Sequence, residues 1–133
     1  MGSTVYLVIP CYNEEEALPE TVRQLSEKLK ELIASGKADE KSRMLFVDDG
    51  SRDKTWSLID GFSKDNPYVC GIKLAHNRGH QNALLAGLMT AREQAECTIS
   101  LDADLQDDVD ALDQFLDRFQ EGCDIVYGGR ARP

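Results

Sequence analysis

Two acids spaced two residues apart, Asp102 and Asp104, close the apolar run Ile99-Ser100-Leu101, and Gln106 follows at the same spacing. In extended chain alternate residues share a face, so the three side chains can point the same way. Two carboxylates and an amide oxygen form a hard, oxygen-only donor set. Such a set suits Mg²⁺ or Mn²⁺, with coordination positions left over for the phosphate oxygens of a substrate. The plainer alternative is an acidic loop after a strand. Which reading holds depends on what else the chain brings to the same place.

Three more polar clusters follow apolar runs. Pro10-Cys11-Tyr12-Asn13-Glu14 follows Val5 to Ile9, Asp48-Asp49-Gly50-Ser51 follows Met44 to Val47, and His76-Asn77-Arg78-Gly79 follows Val69 to Leu74. The run Val5 to Ile9, continuous and rich in β-branched residues, predicts a strand buried on both faces, as in a parallel sheet, and Met44 to Val47 and Val69 to Leu74 read as a second and a third strand. Pro10 is expected to end the first of them. A fourth strand is expected over Thr98 to Leu101 and a fifth over Asp124 to Tyr127. Between them lie helical patterns. Leu18, Val22, Leu25, Leu29, Leu32 and Ile33 recur at helical spacing, with Pro19 in the first turn and Gly36 as the stop. Trp56, Ile59 and Phe62 mark the inward face of a second helix that Ser51 or Asp53 can cap. A third, from about Gln81 to Glu96, is expected to bury Leu84, Leu85, Leu88 and Met89, with Ala86 and Gly87 allowing close packing. Leu112, Phe115, Leu116 and Phe119 mark a fourth, capped by Asp107 to Asp110. The charged span Lys37 to Lys41 reads as a solvated connection.

Strand–helix alternation of this kind means an α/β fold with right-handed crossovers, a three-layer Rossmann-like sandwich around a mostly parallel sheet. Ligands of such sheets bind at the carboxyl ends of strands where the strand order reverses. With the order 3-2-1-4, the reversal lies between the first and fourth strands. The polar motifs at 10–14 and 102–106 would flank one crevice, with 48–51 beside them.

Composition limits the partners. The 133 residues suit one domain, and no internal repeat or linker is visible. A net charge of -9 argues against a nucleic-acid binder and against an anionic membrane surface. An acidic protein that binds phosphate needs a local cation, either a metal ion or placed arginines. The four cysteines form no C-x-x-C pair and read as buried free thiols, hence a reducing, cytoplasmic setting. Met1-Gly2-Ser3 reads as a possible cloning scar, and no stretch is long enough for a membrane-spanning helix.

The sequence Val8-Ile9-Pro10-Cys11-Tyr12-Asn13-Glu14, then Val47-Asp48-Asp49-Gly50-Ser51, then Leu101-Asp102-Ala103-Asp104-Leu105-Gln106 resembles glycosyltransferase family two. Asn77, Gly79, His80, Gln81 and the run Ala83 to Leu88 narrow the likeness to the branch with dolichyl-phosphate mannose synthase and the bacterial polyprenyl-phosphate glycosyltransferases. The resemblance implies a GT-A fold. It implies inverting transfer of a sugar from a UDP- or GDP-sugar to a lipid phosphate at the cytoplasmic face of a membrane. It further implies that Pro10, Tyr12 and Glu14 border the nucleobase and ribose, and that Asp49, with or without Asp48, binds the base or ribose. Asn77 and Arg78 join the nucleotide site. Asp102 belongs near the ribose or metal, and Asp104 with Gln106 holds Mg²⁺ or Mn²⁺ on the diphosphate, which makes Asp102 and Asp104 the catalytic pair. Where many relatives have His or Pro after this run, the chain has Asp107-Asp108-Val109-Asp110, which reads as a helix cap. Relatives continue into an acceptor-binding half, so residues 1–133 are expected to be the nucleotide-sugar-binding half of a longer enzyme. The alternative is a binding or assembly module without turnover.

Competing signatures are weaker. A haloacid-dehalogenase phosphatase also carries Asp-x-Asp after a strand, but wants Thr or Val where Gln106 stands and uses the first strand. A receiver domain places its acidic pair after the first strand. A dinucleotide-binding oxidoreductase needs G-x-G-x-x-G there, which is absent. His76 and His80 have no soft ligands at zinc spacing, and Trp56, in register with Ile59, reads as core.

Overall fold

The computed structural model describes residues 4–101, 103 and 112, together with the backbone of 125–127. The elements alternate as expected: β1 (Val5–Cys11), α1 (Leu18–Ala34), β2 (Arg43–Asp48), α2 (Thr55–Asp65), β3 (Val69–Lys73), α3 (His80–Ala91), β4 (Cys97–Ser100) and β5 (Ile125–Tyr127). They form one sheet in the order β3-β2-β1-β4-β5, with every neighbouring pair parallel. The expected order 3-2-1-4 therefore holds, with β5 added outside β4.

Pro10 does not end β1. It pairs with Val47 inside the ladder, and the strand runs on to Cys11 opposite Asp48. The register shows why proline is tolerated. The Val8 carbonyl accepts the Leu101 N–H at 3.0 Å, on the β4 side, and the Cys11 carbonyl accepts the Asp49 N–H at 2.8 Å, on the β2 side. Residues two apart aim their backbone groups to the same side, so the N–H that Pro10 lacks would point toward β4. The β1–β4 pairing has ended at Val8 and Ser100, so no ladder bond is lost.

The sheet is packed differently on its two faces. Leu7, Ile9, Met44, Phe46 and Ile99 meet Leu18, Leu25, Leu29 and Leu32 of α1 and Ile59 of α2 in the larger core, with Trp56 and Phe62 half-buried against it. Trp56 is thus a packing residue, as its register implies. On the other face Val8, Leu45 and Val47 meet α3 through Ala83 and Ala91. The third small residue on that stripe, Gly87, leaves no room for more: a Cβ there would stand 2.6 Å from Val8 Cγ1 and 2.8 Å from Val47 Cγ2. This corrects the expected face of α3. Leu84 and Leu88 are half-buried, but Leu85 and Met89 are 53% and 55% exposed. The helix approaches the sheet backbone-close along its alanine and glycine stripe, which turns the larger side chains sideways and outward.

The span 37–41 is also more than a solvated link. Ala38 and Ser42 are buried, Asp39 accepts the Thr4 hydroxyl at 2.6 Å, and the Ser42 hydroxyl accepts the Val5 N–H at 2.8 Å. The start of β1 is tied down there, far from its functional end. Among the described cysteines, Cys11 and Cys97 are buried thiols and Cys70 is half-buried. No helix among the described residues is long and apolar enough to cross a membrane.

Candidate nucleotide-sugar site at the carboxyl ends of the strands

The loop after β1 and the loop after β2 are zipped together by reciprocal hydrogen bonds. The Asn13 N–H donates to Ser51 Oγ at 2.9 Å, and the Arg52 N–H donates back to Asn13 Oδ1 at 2.9 Å. The Glu14 N–H donates to Thr55 Oγ1 at 2.8 Å, and the Glu15 N–H to Asp53 Oδ2 at 3.3 Å. The Lys54 N–H returns to Glu15 Oε1 at 2.8 Å. Asn13 takes a left-handed backbone, φ 53°, which asparagine tolerates better than most residues. Asp53 also accepts the Thr55 N–H at 2.9 Å, from one residue ahead of Lys54, which holds the N-cap position of α2 without a side-chain cap bond. Burial alone would raise the Asp53 carboxyl. Hydrogen bonds from Thr55 and Glu15 outweigh it and hold the group below its ordinary range.

The loop after β3 joins this pair through Asp49. The Arg78 N–H reaches Asp49 Oδ1 at 2.6 Å and the Gly79 N–H reaches Oδ2 at 3.0 Å. Gly50 makes the approach possible. Its φ is +70°, and a Cβ there would lie 2.6 Å from the Asn77 nitrogen and 2.7 Å from the His76 carbonyl carbon. Asp48 is fully buried. Its Oδ1 accepts the Ser51 N–H at 3.2 Å, while its Oδ2 has no hydrogen-bond partner among the described residues. A buried carboxylate oxygen without a donor is costly. Of the two acids, Asp49 is the one engaged by the neighbouring loop and Asp48 carries the unsatisfied oxygen.

Sequence-predicted residues on three of the four loops thus come together at one end of the sheet: Pro10, Tyr12 and Glu14, then Asp48 and Asp49, then Asn77 and Arg78. Tyr12 is 41% exposed beyond the end of β1 and is not packed under its loop. Cys11, beside Asp48 in the ladder, is no nucleophile: burial, then the charges of Glu14 and Asp48, push its thiol far up. Asp102, Asp104 and Gln106 lie outside the described residues, as do Cys123, Arg130, Arg132 and the cap at 107–110. Among the described residues no group of three or more His, Cys, Asp or Glu side chains is placed to hold a metal ion, so the proposed ligand set rests on the motif itself. Between the two acids, Ala103 is buried, and its carbonyl accepts the hydroxyl of Thr21 on α1.

Sequence reasoning missed Thr21, Thr55 and the scaffolding roles of Asn13, Asp53 and Glu15. The available signal was a pair of hydroxyls, Thr21 within the apolar stripe of α1 and Thr55 at the first turn of α2. Both are buried.

Comparison with known proteins agrees with this architecture. The family model for glycosyl transferase family 2 matches residues 6–133. The chain is 52% identical over 124 residues to the uncharacterized glycosyltransferase YkoT of Bacillus subtilis (strain 168), covering 93% of this chain and 37% of that protein. It is 38% identical over 128 residues to the undecaprenyl-phosphate 4-deoxy-4-formamido-L-arabinose transferase of Pseudomonas aeruginosa (strain LESB58), covering 96% of this chain and 35% of that protein. It therefore spans well under half the length of these curated relatives. Among solved structures, the mannosyltransferase PcManGT from Pyrobaculum calidifontis, in complex with GDP-Man and Mn²⁺, aligns with a TM-score of 0.65 at 24% identity, over 78% of this chain and 28% of that one. That likeness shows the fold, GT-A. With the family match running from Tyr6 through Pro133 over a parallel sheet that reverses its order at β1 and β4, the chain belongs to glycosyltransferase family 2.

Proposed function

We propose that this chain is the donor-binding half of an inverting glycosyltransferase, which moves a sugar from a UDP- or GDP-sugar to a polyprenyl phosphate at the cytoplasmic face of a membrane. The observation that carries the reading is the convergence of three polar loops, bonded to one another, at the carboxyl end of a sheet whose order reverses between β1 and β4. In this reading Tyr12, with Pro10 and Glu14, borders the base and ribose. The unsatisfied Oδ2 of Asp48 awaits a donor group of the nucleotide. Asn77 and Arg78 close the site from the β3–α3 loop, and Asp102 sits near the ribose or metal. The curated relative from Pseudomonas aeruginosa is named for an undecaprenyl-phosphate acceptor, which supports a lipid phosphate here.

Asp104 and Gln106 would hold Mg²⁺ or Mn²⁺, which supplies Lewis-acid stabilisation as the departing diphosphate gains charge. The acidic balance of these 133 residues supports such a cation, a need that placed arginines would also meet. At a net charge of -9, a diphosphate meets an unfavourable field unless positive charge is placed beside it. A lipid phosphate is already anionic, so the acceptor needs no protein base to remove a proton.

The reading is tested by thermal unfolding with UDP, GDP and their glucose, N-acetylglucosamine and mannose conjugates, each with Mn²⁺, Mg²⁺ or EDTA. A ligand at one hundred times its Kd adds about 2.7 kcal/mol, which is roughly 10 °C for a domain of this size. A shift with one base only, lost in EDTA and in Asp104→Ala, is the expected result. No shift with any nucleotide at millimolar concentration, in a cooperatively folded sample of the longer protein, would refute the donor site.

A further inference from the structure

A threonine inside a helix commonly turns its hydroxyl back to the carbonyl one turn earlier. Thr21 spends its hydroxyl proton elsewhere. It stands in the apolar stripe of α1 between Leu18 and Leu25, is only 2% exposed, and donates out of the helix to the carbonyl of Ala103, 82 positions along the chain. A buried hydroxyl costs stability unless its proton is used. Valine, of nearly the same shape, would fill the stripe without that need. The hydroxyl is therefore explained by what it holds.

What it holds is the residue between Asp102 and Asp104. The bonding of β4 to β1 closes with the Leu101 N–H on the Val8 carbonyl, at 3.0 Å. Two residues on, Ala103 is buried in the same core as Leu101, Leu18 and Leu25. It is thus fastened twice, through its methyl group to the core and through its carbonyl to α1. The two acids are its immediate neighbours in the chain, so the backbone that carries them is set at this anchor.

We infer that Thr21 is a positioning residue for the metal, whose hydroxyl pins the Ala103 carbonyl and so fixes the backbone that carries Asp102 and Asp104. The inference rests on the metal reading of the acidic motif proposed above. The donor set fits that reading in kind, since carboxylate oxygens are the hard donors that Mg²⁺ and Mn²⁺ take. Groups that orient metal ligands without touching the ion typically change metal affinity by about 10–100-fold when removed.

The test is a Mn²⁺ titration of the longer protein with UDP or GDP, followed by the loss of the free ion's EPR signal. Thr21→Val keeps the volume and deletes the donor. It should weaken Mn²⁺ about tenfold or more, while nucleotide affinity in EDTA stays within about twofold of the wild type. Thr21→Ser restores the hydroxyl and should recover most of the Mn²⁺ affinity. If Thr21 only fills space, the Mn²⁺ titrations of both variants will coincide with that of the wild type, whatever happens to their melting temperatures, and the inference is overturned. Leu29→Ala controls for lost stability. Leu29 is buried in the same helix about two turns farther on, so this variant should melt earlier yet bind Mn²⁺ as the wild type does. An equal Mn²⁺ loss in Leu29→Ala would also overturn the inference.

Should Thr21→Val not fold, Thr21→Ala and Thr21→Ser differ by the hydroxyl oxygen alone and make the same comparison, with the same two outcomes. Two failures are kept apart. A wild type that takes up no Mn²⁺ with either nucleotide refutes the metal reading, and this inference with it. Equal uptake by the wild type and Thr21→Val refutes the inference alone.

Discussion

The two sides of the sheet reach the same end, a rigid platform for the loops, by opposite means. On the α1–α2 side, large side chains fill the space, and the loops beyond are zipped by five side-chain-to-backbone bonds across Asn13, Ser51, Asp53, Thr55 and Glu15. On the α3 side, small residues let the helix lie against the strands, and the loop beyond hangs on one carboxylate. The first side is stabilised by volume and by many modest bonds. The second depends on a few positions where nothing larger fits. Removing atoms should therefore hurt the first side most, and adding atoms should hurt the second.

The largest effect is expected from Leu29→Ala. Leu29 is fully buried in the α1 core, and the lost burial plus the remaining cavity should cost about 2–5 kcal/mol. Chemical denaturation of the folded chain measures it, and a loss below about 1 kcal/mol would show that the larger core is not close-packed. Next comes Gly87→Leu. A better helix former replaces glycine, yet its Cβ alone would press into two branched strand residues, Val8 and Val47. Overpacking costs typically about 1–3 kcal/mol, so the melting temperature should fall. A rise would mean that α3 can lift off the sheet, and the contrast between the faces would go with it.

The zipper is tested by Thr55→Val. Thr55 is fully buried, and its hydroxyl both accepts the Glu14 N–H and donates to Asp53. An isosteric methyl leaves that N–H unpaired, at about 1–3 kcal/mol. Asp53 adds a pH signature. Its folded-state carboxyl lies below its ordinary value, so its contribution is present above about pH 4, the unfolded value, and is lost as pH falls through the folded one. The wild type should lose stability on acidification more steeply than Asp53→Asn over that window. Parallel acid profiles would remove Asp53 from the zipper's account.

Much of this division was legible in the sequence. Apolar runs alternating with helical patterns predict a mostly parallel sheet, and the order 3-2-1-4, taken as the one that would bring the polar motifs to one crevice, is the order observed. The helical spacing of Leu18, Val22, Leu25, Leu29 and Leu32 identifies the α1 face correctly. The α3 face was harder, because Leu84-Leu85 and Leu88-Met89 outweigh any other stripe on a hydrophobicity count. The signal that decides it is small-residue spacing, Ala83, Gly87 and Ala91 at intervals of four. It becomes persuasive only once Val8 and Val47 are known to lie opposite. The zipper was illegible for another reason. Asn13, Asp53 and Thr55 each have an adequate local explanation as a turn or cap residue, and their actual partners lie about 40 positions away. Pro10 shows the same limit, since its tolerance depends on where a neighbouring strand stops.

The smallest expected effect is the sharpest on the contrast between faces. Leu85 and Met89 are the largest apolar side chains of α3 that stand outside its packed stripe, and both are more than half exposed. Truncation to alanine removes little buried surface, and alanine is the best helix former, so neither Leu85→Ala nor Met89→Ala should change the stability of the 133-residue chain by more than about 0.5 kcal/mol. The same helix should then accept the loss of a whole leucine side chain two residues, about half a turn, from the place where it rejects the gain of one. Denaturation midpoints for the two alanine variants, measured beside Gly87→Leu, make the comparison within a single element. A loss of about 2 kcal/mol or more at Leu85 or Met89 would mean that these side chains are packed after all. The α3 face would then be stabilised by volume, as the α1–α2 face is, and the small-residue stripe would be incidental.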